Sequence, residues 1–90
     1  MEVKEKKPVA YHYTQILPQV YEIEASEELT KEDSRKKILA LALRALQDSK
    51  TSSFDRQRME LLNCRTDQDL VRVIERTILK GREFTKYDVG

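Results

Sequence analysis

A chain of 90 residues with 17 Lys or Arg against 16 Asp or Glu, hydrophobic residues at 39% and charged residues at 37%, holds one domain at most. Its core is near the lower limit for folding without a disulfide, a metal or a partner chain. Two glycines and two prolines in such a composition argue against a β-sandwich or a disordered tail and for a mostly α, charge-coated protein. The longest apolar run, Ile38 to Leu43, is six residues, far short of the ~20 that span a bilayer, so no membrane partner is expected. The opening Met-Glu-Val-Lys-Glu-Lys-Lys has no apolar stretch behind it of the kind a secretory signal carries, which makes a cytoplasmic location the expectation. A single cysteine, Cys64, forms no intrachain disulfide and reads as a small buried hydrophobe.

In chain order, residues 1–8 form a charged lead ending at Pro8, with nothing in it to bury, and residues 9–90 form the single small domain. From Val9 to Ala25 the chain is rich in β-branched and aromatic residues. Alternation places Tyr11 and Tyr13 on one side before Pro18, and Tyr21 and Ile23 on one side after it, which suggests two short strands or a β-hairpin-like segment. The competing reading is a helix, since Ile16, Val20 and Ile23 recur at i, i+4 and i+7, but it requires Pro18 near the helix start.

Thr30 opens a clearer helix with a capping-box pattern, Thr-Lys-Glu-Asp, and acid in its first turn. Ile38, Leu39, Leu41, Ala42, Leu43, Ala45 and Leu46 cover most of its circumference, so this helix should be central. After a polar connector, Ser52 is placed to cap a second, shorter helix from Phe54 to about Asn63. Its apolar members are Phe54, Met59, Leu61 and Leu62. Thr66 with Asp69 repeats the capping pattern ahead of a third helix, whose inner face is Leu70, Val73, Ile74, Thr77 and Ile78 and which should stop at Gly81 in a left-handed turn. Phe84 and Tyr87 in the tail could fold back on the core. The expected fold is therefore a three-helix unit with an extended or hairpin-like N-terminal segment, the alternative being an all-α four-helix protein.

Motifs for chemistry are sparse. His12 is the one histidine and Cys64 lies far from it in the chain, so no metal-ligand cluster and no nucleophile–base pair is indicated by spacing. Gly81 and Gly90 are the two glycines, too few for a phosphate-cradling loop. Neither an enzyme nor a cofactor is expected.

Two surfaces remain as binding candidates. Arg72, Arg76 and Lys80 step by four along the third helix, with Arg65 just ahead of it, and form a basic stripe that could meet phosphates or acidic side chains. The segment from Phe54 to Ile78 also has the outline of a helix-turn-helix. However, Asp67 and Asp69 at the head of the supposed recognition helix would turn two carboxylates toward DNA phosphates. The second surface is the tyrosine-rich N-terminal half, where Tyr11, Tyr13 and Tyr21 could either cover the central helix or form part of an interface. The function expected is a small non-enzymatic protein-interaction protein, a regulator, adaptor or assembly subunit, with a homodimer as one form. The alternative is a nucleic-acid-binding regulator acting through Arg65, Arg72, Arg76 and Lys80.

Overall fold

The computed structural model of the chain describes residues 7–49 and 53–89, the side chains of 82–89 excepted. It contains four helices, α1 Val9–Ala25, α2 Lys31–Asp48, α3 Phe54–Leu62 and α4 Asp67–Val89, and no strand among the described residues. The four-helix alternative is the one that holds. Most of the charged lead, Ser52 and the side chains of Phe84 and Tyr87 lie outside the described residues.

The N-terminal hairpin is replaced by α1, with Pro18 inside it. Two features make this possible. Val9, Tyr13 and Val20 are buried, and Ile16, Leu17 and Ile23 pack against them, a stripe of helical period that begins two turns earlier than the Ile16/Val20/Ile23 set suggests. Tyr11 and Tyr13, expected side by side, therefore separate, one to solvent and one to the core. Proline costs a helix one hydrogen bond and frees the carbonyl four residues back. That carbonyl belongs to Thr14, and both Thr14 and Pro18 are exposed, so water can meet the group left without a partner.

Helix α2 begins as its capping pattern implies. Thr30 Oγ1 accepts from the Asp33 backbone N–H at 3.1 Å, with Glu32 and Asp33 in the first turn. At the α1–α2 corner the Ser34 hydroxyl donates to the carbonyl of Ile23 at 3.3 Å. This bond partners a carbonyl of the last turn of α1 and explains how a serine can be buried on α2. Ile38, Ala42, Ala45 and Leu46 are buried while Leu39, Leu41 and Leu43 pack at the margin. As its wide apolar coverage predicts, α2 is central: it lies against α1 and α4 and carries α3.

Helix α4 is capped by Thr66, whose Oγ1 accepts from the Asp69 N–H at 3.1 Å, and buries Leu70, Val71, Ile74 and Ile78. The expected stop at Gly81 does not occur. The helix runs through it to Val89, and no described residue has positive φ. Gly81 serves another purpose: a Cβ built on it would overlap the Cβ of Ala10 on α1. Glycine here lets two helix backbones approach closely, and α1 packs more extensively on α4 than on any other element.

Candidate interaction surface

At nine residues α3 is shorter than helices that persist alone in water, so tertiary packing must hold it. Leu61 supplies that anchor and is fully buried. Its neighbours one and two turns away divide the helix. Gln57, at i−4 from Leu61, is half-buried and donates from Nε2 to Ser53 Oγ at 2.9 Å. Leu62, with Arg58 and Met59 about one turn before it, lies on another arc, while Phe54, two turns before Leu61, sits at the edge of the buried side. Phe54 is 36%, Met59 52% and Leu62 41% exposed. Three of the four apolar side chains of α3 are thus presented to solvent, around an exposed arginine.

Two depressions flank this helix. Between the start of α2 and the Asn63–Thr66 connection lies a cleft of about 500 Å³ that Arg65 lines together with Lys31, Arg35, Leu62 and Cys64. Along the α3–α4 seam is a smaller groove of about 270 Å³ holding Arg72 and Arg76, which share it with the carboxylates of Glu60 and Asp69. Lys80 lines a third cleft, with Pro8, Arg56 and Gly81. The basic stripe is therefore exposed along α4, as its spacing implies, but its members serve three different depressions, and the middle pair faces acid.

The tyrosines separate as well. Tyr13 is 1% exposed and belongs to the core, so it leaves the set of partner-binding residues. Its burial, reinforced by the nearby charges of Glu60 and Cys64, pushes its phenol far above the ordinary tyrosine value. Tyr11 is exposed. Its ring meets His12 edge-on with centroids 5.6 Å apart and lies 5.4 Å from the Lys7 ammonium. Tyr21, also exposed, donates its hydroxyl proton to Glu75 on α4, and this hydrogen bond, ahead of small contributions from burial and neighbouring acids, raises its pKa. Ten residues along one helix put Tyr11 and Tyr21 about 15 Å apart, so they do not form one patch.

His12 Nε2 is enclosed without a hydrogen-bond partner. The Cys64 thiol donates to the Glu60 carbonyl at 3.4 Å, and burial raises its pKa, reinforced by Asp69 and Glu60 and opposed by Arg35. Among the described residues no three His, Cys, Asp or Glu side chains are grouped to hold a metal ion, and no helix is long and apolar enough to cross a membrane.

The outer face of α3 was not singled out by sequence reasoning, although a signal for it existed. Leu61 cannot share a face with both Phe54 and Met59, and only one of these faces can point into a core that already receives α1, α2 and α4. Comparison with family models, curated proteins and solved structures finds no match.

Proposed function

We propose that this chain is a small non-enzymatic protein-interaction module, a regulator, adaptor or assembly subunit of the cytoplasm, which docks its partner on the outer face of α3. The observation that supports this reading is the pairing of Met59 and Leu62, one turn apart and 52% and 41% exposed, with the partly exposed Phe54 at the edge of the buried side, on a helix that has little else to do in the fold. Large apolar side chains around an arginine are what interface centres are enriched in, whereas scattered single exposures would carry no such meaning. The occupant we propose is a second copy of the chain: the small core gains most from burial between copies, and a homodimer places one α3 face on another.

Light scattering of the purified chain at micromolar to millimolar concentration tests this directly. A mass rising from 10.6 kDa toward twice that value supports the dimer, and Met59→Glu/Leu62→Glu should hold the chain at the monomer mass with its helical circular dichroism intact. A wild type that stays monomeric throughout, or a double variant that still dimerises, removes α3 as the self-docking face. Nucleic-acid binding ranks below this reading because Arg72 and Arg76 share their groove with Glu60 and Asp69, which oppose a phosphate backbone.

A further inference from the structure

The cleft beside Arg65 has a composition that dimerisation through α3 does not require. Lys31 and Arg35 reach it from α2, one turn apart and on the same face, and Arg65 reaches it from the connection between α3 and α4. Arg35 is half-buried, and its charge acts on the Cys64 thiol to lower its pKa. Both Arg35 and Cys64 line the cleft.

Local acid offsets this set only in part. Glu32 lines the cleft too, yet it faces Lys36 at 4.0 Å, and this is the one ion pair among the described residues. Asp67 is 6% exposed and its Oδ1 accepts from the Gln68 N–H at 2.8 Å. Glu60 and Asp69 lie along the neighbouring groove. Lys31, Arg35 and Arg65 thus stand as three cations around one depression, repelling one another at a mutual cost that an anion of matching charge removes.

We infer that this cleft binds a single phosphate-class oxyanion, either free or carried as a phosphomonoester. Two guanidinium forks and an ammonium approaching from separate segments suit a compact dianion with several acceptor oxygens better than a single carboxylate, because each fork can take its own pair of oxygens. A run of nucleic-acid phosphates is disfavoured by the acids of the adjoining groove, Glu60 and Asp69. The inference rests on the Lys31/Arg35/Arg65 arrangement and not on the dimer, although the two surfaces meet at Leu62, which lines the cleft.

The experiment is a titration of backbone amide resonances with inorganic phosphate at constant ionic strength, with chloride as the control anion. A second arm uses a short peptide carrying phosphoserine and its unmodified counterpart. Saturable shifts confined to the amides around 31–35 and 64–66 are expected with phosphate and not with chloride. They should strengthen as pH rises through about 6, where the ligand gains its second charge. Arg35→Gln/Arg65→Gln should weaken binding about tenfold or more while the spectrum stays folded, and Arg72→Gln/Arg76→Gln should leave it unchanged. Phosphopeptide binding about tenfold tighter than inorganic phosphate assigns the site to a phosphorylated partner, and equal affinity assigns it to the free ion. Identical responses to phosphate and chloride overturn the inference, as does a folded Arg35→Gln/Arg65→Gln variant that binds like the wild type.

Discussion

Gly81→Ala separates two accounts of one residue. In an open helix position the substitution stabilises, since alanine is favoured over glycine by about 1 kcal/mol in a helix interior. Gly81 is not in an open position: the new Cβ would overlap the Cβ of Ala10, an atom fixed to the backbone that cannot rotate away. Relief requires α1 and α4 to move apart, and because α1 makes its most extensive packing with α4, that movement loosens much of the core. Overpacking of this kind costs about 1–3 kcal/mol, so the net effect is a destabilisation of up to about 2 kcal/mol instead of a gain. A double-mutant cycle with Ala10→Gly isolates the contact. Alone, Ala10→Gly should cost about 1 kcal/mol for the glycine it places in α1; combined with Gly81→Ala it should cost less or even stabilise, giving a coupling of about 1 kcal/mol or more. Urea denaturation of the four proteins measures every term. A stabilised Gly81→Ala variant with no coupling to position 10 would refute the close approach and return Gly81 to an ordinary helical site.

The core makes a graded prediction: Leu46→Ala, at a position with no exposed surface, should lose about 2–5 kcal/mol, and Leu43→Ala, at the core margin, distinctly less, both read from denaturant midpoints. Tyr13 predicts an alkaline limb. Its folded pKa lies above the ordinary 10.0, so the unfolded chain releases the phenolic proton first, and the stability from this group is complete below pH 10.0 and lost as pH rises beyond it. Tyr13→Phe should flatten that decline in a pH series of thermal melts. Cys64, with its thiol pushed up by burial, should alkylate slowly in the native protein at pH 8 and rapidly in denaturant; equal rates would place the thiol at the surface.

How far the sequence can be read depends on whether a signal is local. The Thr30 and Thr66 caps are local patterns of side-chain acceptor and backbone donor, and both hydrogen bonds occur where the pattern puts them. The central position of α2 also follows from its own composition, since no other part of the chain could bury so wide an apolar surface. Pro18 and Gly81 depend on context instead. Proline disrupts a helix by an amount that depends on what the freed Thr14 carbonyl can reach, and its exposure is a property of how α1 sits on its neighbours. Glycine after an amphipathic run signals a stop only if no partner helix needs the space, and Ala10 lies far away in sequence. The candidate site divides in the same way. Four-residue spacing correctly aligned Arg72, Arg76 and Lys80 on one exposed side of α4, but the acids opposite two of them and the cations that join Arg65 come from other elements.

The placement of α3 links the fold to the proposed function. Helices α1, α2 and α4 meet one another pairwise and supply all but two of the buried apolar residues, the exceptions being Leu61 and Cys64. Little interior remains for a fourth helix, so α3 enters by one side chain and rests chiefly on α2. Rotating it to bury Met59 and Leu62 would expel Leu61, the residue that anchors it, and would turn Arg58 inward with no paired acid to offset the desolvation. Rotation of α3 therefore cannot cover this face without breaking the anchor that holds the helix. A surface that buries this face would also strengthen the element least secured by the core, because a ligand that binds the folded form alone adds its binding free energy to stability.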